Sequence, residues 1–226
     1  MPSRSKFNLV CVAHPDDETI FFGGLLRRPR RLPWKVVCVT DGNADGQGRK
    51  RRRQFENACH ALGVKDLEWW GFPDIYEKRL PIDQLRLALG GLGTPPQVFT
   101  HGILGEYGHP HHQDVSYAVH TALPKHPRLW SVAYNAYPEL RVSLSKREFD
   151  RKTRLLVDVY GSETSRFLNF LPSTFEEGFQ RLGAREVEAL YGFLARGEAL
   201  RARDLKSYAR LEGYLRTLNR NPARPF

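Results

Sequence analysis

A histidine, two aspartates and a glutamate fall within Ala13-His14-Pro15-Asp16-Asp17-Glu18, and three more histidines crowd Gly108-His109-Pro110-His111-His112. Imidazole nitrogens and carboxylate oxygens are what a catalytic zinc ion takes, as three protein donors with a position left for water. His14, Asp17 and His112 supply such a set. One ion is expected, zinc by its donors, although another divalent metal would follow the same affinity series. Asp16 is then a second carboxylate beside the metal, free to serve as general base toward water. His109 and His112 are three apart, so one helical turn presents both to the same crevice. From there His109 can stabilise a developing oxyanion or protonate a leaving amine. The chemistry is hydrolysis of a carbonyl compound such as an amide.

These groups act together only if the fold brings them together. His14 follows residues 7–13, a short apolar run of the kind that forms a parallel strand buried on both faces. The second cluster follows a similar run at residues 97–101. Residues 34–40, 67–72 and 129–137 are further strand candidates. Helical spacing covers residues 17–28 and 49–62, then a stretch carrying Ile82, Leu85, Leu89 and Leu92. A further helix opens near Pro110 and carries Val115, Ala118, Val119 and Ala122. This alternation predicts an α/β fold, a doubly wound, mostly parallel sheet flanked by helices. In such sheets the ligand crevice lies outside the carboxyl ends of the strands, where strand order reverses. Both clusters follow such ends.

After Tyr137 the alternation lapses. Residues 145–160 read as a helix and residues 161–172 as mixed loop. Two amphipathic C-terminal helices carry Val187, Leu190, Tyr191 and Leu194, then Leu211, Tyr214, Leu215 and Leu218. The expectation is one domain over residues 1–226, with a metal-binding core at about 1–140 and a helical elaboration at about 141–226.

Thirty-five Lys and Arg against 25 Asp and Glu give a net charge of +10. A basic balance admits an acidic small substrate, a nucleic acid or an anionic membrane surface. No recognition-helix motif or stacking signature accompanies it, and an acidic cluster at a strand end repels phosphate. Nucleic acid is therefore not the expected partner. A small-molecule conjugate is, with an anionic group to suit the charge. No stretch reaches transmembrane length, and the N-terminal apolar run is too short for a secretory signal. Cys11, Cys38 and Cys59 make no disulfide framework and read as buried free thiols. The expected location is the cytoplasm.

Taken as a pair, the two motifs resemble those of the LmbE-like, PIG-L family of zinc-dependent N-acetylglucosaminyl deacetylases. The resemblance rests on Ala13-His14-Pro15-Asp16-Asp17-Glu18 and Gly105-Glu106-Tyr107-Gly108-His109-Pro110-His111-His112 and spans roughly the first 120 residues. It implies a Rossmann-like fold and removal of acetyl from an N-acetylated amino sugar or its conjugate. It also implies His14, Asp17 and His112 on the metal, Asp16 as general base, and His109 as the charge-stabilising or acid histidine. Arg51 and Asp74 match positions near the substrate, and Tyr107 is placed to line the pocket. Two positions depart from the family's pattern. His111 stands where the second motif often has aspartate, and Gln54 stands where an Arg-x-x-Glu pattern begun at Arg51 would have glutamate.

Simpler readings compete at several places. Asp16, Asp17 and Glu18 would also cap a helix and complement its dipole. Asp74 would also cap the turn in Gly71-Phe72-Pro73-Asp74. Asp41-x-Asn43-x-Asp45-Gly46 opens like a calcium loop, but its twelfth place is Arg52 instead of a bidentate glutamate. The run from Arg49 to Arg53 sets positive charge against the start of a helix, which points to a bound anion or to a solvated face.

Overall fold

β1 (Asn8–Val12) is buried at every position, as a strand covered on both faces must be. Its residues alternate between two cores. Val10 and Val12 pack with Phe22, Leu26, Phe55 and Phe99 on one face. Leu9 and Cys11 pack with Leu85, Leu89, Val115 and Val119 on the other. The computed structural model describes residues 5–76, 78–168 and 171–220. After β1 come α1 (Asp17–Leu26), β2 (Trp34–Thr40), α2 (Gly48–Ala61), β3 (Asp66–Phe72), α3 (Ile82–Gly90), β4 (Val98–Thr100), α4 (Pro110–Ala122) and β5 (Leu129–Val132). Helices α1 and α2 fill the first core and α3 and α4 the second. The chain is an α/β protein, as its alternation predicts.

These five strands are parallel and lie in the order β3-β2-β1-β4-β5. The chain winds outward from β1 to β3, then returns to place β4 on the other side of β1. The crevice of a doubly wound sheet opens at that reversal. His14 follows β1 there and His101 follows β4.

Beyond β5 the structure departs from the sequence reading. β6 (Leu140–Ser143) and β7 (Glu176–Gln180) extend the sheet to seven strands, with β7 antiparallel to β5 and β6 antiparallel to β7. Neither strand has a marked apolar alternation: one reads Leu-Arg-Val-Ser and the other Glu-Glu-Gly-Phe-Gln. β5 stops at Val132 instead of Tyr137, and Tyr134 and Tyr137 are exposed. α5 (Lys146–Leu168) continues eight residues past Tyr160, through Gly161 and Ser162, which resemble loop by composition. Packing of Leu156 and Tyr160 on Ala58 holds that helix to the body of the protein. Residues 169 and 170, in the stretch read as mixed loop, and the side chain of Leu218 lie outside the described residues.

The tail helices α6 (Ala184–Arg196) and α7 (Glu212–Arg220) form where the amphipathic pattern puts them. Val187, Leu190, Tyr191 and Leu215 share a third core with Ile103. All three cysteines are buried and unpaired. Among the described residues no helix is long and apolar enough to cross a membrane.

Candidate active site

The turn from β1 into α1 is strained at one residue. Asp16 has a φ of 118°, a region that residues with a Cβ rarely enter and that clusters at functional sites. Its carbonyl accepts the N–H groups of Thr19 and Ile20, opening the helix. Asp17 folds back so that Oδ2 accepts the His14 backbone N–H at 2.8 Å. The capping reading fails for Asp16, whose side chain makes no cap bond, and Asp17 holds a residue that lies before the helix. The other Asp17 oxygen, Oδ1, lies 3.4 Å from His112 Nε2.

The second motif is shaped by a tight turn. Gly105 has a φ of 75°, and a Cβ there would come within 2.5 Å of the His109 carbonyl oxygen. Only glycine fits. Pro110 takes the first position of α4 and His109 caps it, Nδ1 accepting the His111 N–H at 3.2 Å. This turn sends His112 inward with no exposure and leaves His109 half-buried at the rim.

The two motifs meet. His14 Nδ1 lies 3.2 Å from His112 Nε2 and 3.5 Å from Asp17 Oδ2. Tetrahedral zinc bonds of 2.0–2.1 Å set neighbouring ligand atoms about 3.3 Å apart, the spacing of the two histidine nitrogens, and each of these approaches a different oxygen of the Asp17 carboxylate. The hydrogen placement suits a cation as well. His112 Nδ1 donates to Glu106 Oε2 at 2.5 Å, and a carboxylate can only accept, so His112 Nε2 keeps its lone pair. His111 Nε2 donates to the Lys78 carbonyl at 2.8 Å, which leaves His111 Nδ1 to accept from His14 Nε2 at 3.1 Å. His14 Nδ1 is then the atom free to bind. Outer partners of this kind fix the tautomer and aim of metal-ligating histidines.

Burial opposes charge on His14, but Asp17 and Asp74 on its two sides outweigh it and push its pKa up to about 10, so without a cation Nδ1 holds a proton that a bound metal would displace. Burial pulls His112 down to about 4. Burial also works against the Asp17 carboxylate, yet the surrounding histidines hold it well below the usual range. Asp16 is pushed up to about 8 by burial, with Arg51 opposing and Asp17 and Glu18 reinforcing. His109 is held well below its ordinary value by burial and by the neighbouring histidines, so the ring is neutral. With Nδ1 accepting the cap N–H, its hydrogen sits on Nε2.

The other residues singled out from sequence fall into three positions. Asp74 Oδ1 lies 3.6 Å from His14 Nε2 and 3.4 Å from His111 Nδ1, on the side of His14 opposite Asp17. Among the described residues three sets of metal-capable atoms cluster: His14, Asp74 and His111; His14, His109 and His112; and Asp17, His101 and His112. Tyr107 is partly exposed, with its ring centroid 5.4 Å from that of His112. Arg51 is buried, and its guanidinium engages the Pro15 carbonyl, Asp16 Oδ2 and Glu163. It meets Asp16 from behind.

Sequence reasoning missed His101 and Glu106. His101 Nε2 accepts the Ala13 N–H at 2.9 Å. Burial opposes charge on this ring, but Glu106 and Asp17 outweigh it and push it up to about 9, while the Ala13 N–H bond draws on the Nε2 lone pair of the neutral form. Glu106 then receives Nδ1–H from both His101 and His112, with the Gly102 N–H on its other oxygen. Burial works against its charge, but the histidines lower it to about 2. A histidine ending a buried strand and a carboxylate between the glycines at 105 and 108 were the available signals.

Comparison with known proteins bears on the family and the fold. Residues 9–123 match the family described as PIG-L: GlcNAc-PI de-N-acetylase. The N-acetylglucosaminyl-phosphatidylinositol de-N-acetylase of Saccharomyces cerevisiae is 37% identical over 62 residues, 25% of this chain and 20% of that protein. The probable N-acetyl-alpha-D-glucosaminyl L-malate deacetylase 2 of Bacillus cereus is 27% identical over 144 residues, 53% of this chain and 62% of that protein. The chain thus spans less than two thirds of either relative. Among solved structures, the N,N'-diacetylchitobiose deacetylase of Pyrococcus horikoshii has the same fold, with a TM-score of 0.57 at 19% identity over 80% of this chain and 85% of that one. The matched segment contains both histidine motifs and the sheet reversal between them, and the chain belongs to the PIG-L family.

Proposed function

We propose that this chain is a metal-dependent N-deacetylase, acting on the acetamido group of an N-acetylglucosamine-type sugar or conjugate. One observation carries the reading: His14 Nδ1 and His112 Nε2 lie 3.2 Å apart, each within 3.5 Å of one of the two Asp17 oxygens, beside a second carboxylate, Asp16. The family and the deacetylase names of the relatives support the reaction class.

His14, Asp17 and His112 would hold the ion, zinc by donor type and spacing. When bound there, a divalent cation supplies Lewis acidity to the acetyl carbonyl and acidifies water. Asp16 takes the proton of the attacking water, and its carboxylate is aimed by Arg51 at 3.3 Å. Neutral His109 donates Nε2–H to the oxygen that gains charge as the carbonyl carbon turns tetrahedral. The proton held on Asp16 then passes to the departing nitrogen, and acetate and a free amine result. Glu106 and His111 keep the two ligand imidazoles in the required tautomers.

Substrate recognition falls to the rim. Tyr107 faces the ligand histidines and Asp74 lies beside His14. Asp41, whose Oδ1 accepts the Asp74 N–H, also lines a cavity of about 760 Å³ with Asn43, Gln47, Arg49, Lys50, Arg52 and Trp69. A sugar conjugate with an anionic group suits these cations.

The test is acetate release by the metal-loaded chain from N,N'-diacetylchitobiose and from anionic N-acetylglucosamine conjugates. Asp16→Asn is expected to retain the metal and to lose turnover by about 10²–10⁴-fold, the usual scale of general-base catalysis. His112→Ala is expected to lose the metal. No acetate from any of these substrates, or equal metal loss in both variants, contradicts the proposal.

A further inference from the structure

We propose that Glu163, on α5, is a positioning residue for the general base: it holds Arg51 in the place from which Arg51 aims Asp16. This rests on the reading of Asp16 as the base. Three elements meet at the contact. From α2, Arg51 sends one terminal nitrogen to both the Pro15 carbonyl and Asp16 Oδ2, gripping the peptide on either side of the strained φ at Asp16. Its other terminal nitrogen lies 3.3 Å from Glu163 Oε2. The Glu163 side chain is 2% exposed and that of Arg51 10%.

A buried guanidinium with one carboxylate on each side is fixed in direction. Remove the rear carboxylate and the front one must hold the cation alone, with nothing to oppose its collapse onto Asp16. Lys50 adds a second tie to Glu163 Oε1 at 3.1 Å, so the carboxylate is itself anchored. Glu163 has no place in the reacting space, which lies on the far side of Arg51. Its effect on the reaction is therefore through the geometry of Asp16 alone.

The same helix offers a way to move the anchor. Gln54 lies three residues after Arg51 on α2, on the neighbouring turn of the same face. It is buried; its Nε2 donates to the Val159 carbonyl of α5, and its Oε1 has no hydrogen-bond partner among the described residues. A glutamate there would give up the Val159 bond and offer Arg51 a carboxylate from its own helix.

The experiment compares the zinc-loaded full chain with Glu163→Gln and with Glu163→Gln/Gln54→Glu. Glu163→Gln is expected to lower kcat by about a hundredfold, the cost of a misplaced catalytic group, with KM and zinc content unchanged. The double variant is expected to recover most of that loss. Breaking this buried pair lowers thermal stability in either case; a merely structural role would leave kcat of the folded, zinc-loaded chain unchanged or lower its zinc content, and would not be rescued from position 54. An unchanged kcat in Glu163→Gln overturns the proposal while leaving the deacetylase reading intact. Crystal structures of both variants decide the clamp without turnover. Arg51 is expected to leave the Pro15 carbonyl in Glu163→Gln and to return in the double variant; Arg51 unmoved in Glu163→Gln overturns the proposal. If the unaltered chain releases no acetate, the deacetylase reading fails and the structures still decide the clamp.

Discussion

The parallel part of the sheet, β1 to β5, and the chain after it meet the site in different ways. The parallel part supplies every candidate ligand atom: His14 and Asp17 after β1, His112 on the helix after β4. Their outer partners His101 and Glu106 come from the same region. The later part contributes none of these and grips the same elements from behind. Glu177 of β7 accepts the Gly24 and Leu25 N–H groups in α1 at 2.7 and 2.9 Å, and pairs with buried Lys152 at 2.8 Å. Tyr160 donates to Glu18 of α1 at 3.0 Å, and Glu163 holds Arg51 of α2. One region carries reacting groups within two short motifs, and the other fixes the helices that carry them.

If that contrast is right, substitutions in the two regions separate by what they change. The largest stability effect is expected at Lys152→Met. It strands the buried Glu177 carboxylate with only backbone donors, and breaking a buried pair costs about 3–5 kcal/mol. Chemical denaturation measures the loss, while the zinc affinity of the folded chain should hold. A change in affinity without loss of stability would break the contrast.

Glu106→Gln tests the other region. It removes the carboxylate that holds the His112 tautomer, and such outer-partner changes cost about 10–100-fold in metal affinity. A competition titration with a zinc chelator reads this directly. An affinity equal to that of the unaltered chain would reduce Glu106 to a packing residue.

The smallest effect is expected at Tyr160→Phe. Glu18 Oε1 loses one donor but keeps Thr19 Oγ1 at 2.6 Å, so the cost is about 1 kcal/mol, that of one ordinary hydrogen bond. Stability should fall by that amount and metal affinity should not change. A larger loss of affinity than at Glu106→Gln would reverse the division between the regions.

The same division explains what could be read from the residues alone. The strand ends at Ala13 and His101, and the histidine motifs that follow, are local patterns of apolar runs and spacing. That the two motifs meet was legible for that reason. β6 and β7 were not, because Glu176, Glu177 and Arg141 obscure the alternation. Their place in the sheet comes from pairing with β5 and with each other. Glu163 lies 112 residues from Arg51, and no spacing rule connects them. The glutamate missing at position 54 marked a gap in the motif but not what fills it. Arg51 read as a substrate contact, and its burial against Asp16 and Glu163 was not legible. His111, noted as a departure, takes its meaning from the Lys78 carbonyl and His14 together.

The central claim is that one divalent ion sits between His14 Nδ1, Asp17 and His112 Nε2. Anomalous diffraction at the zinc edge, from crystals of the zinc-loaded chain, tests it most directly. The account predicts a single strong peak at bonding distance, about 2.0–2.2 Å, from those three atoms. A peak between His14 Nε2, His111 Nδ1 and Asp74 instead, or none within reach of His112, would contradict it.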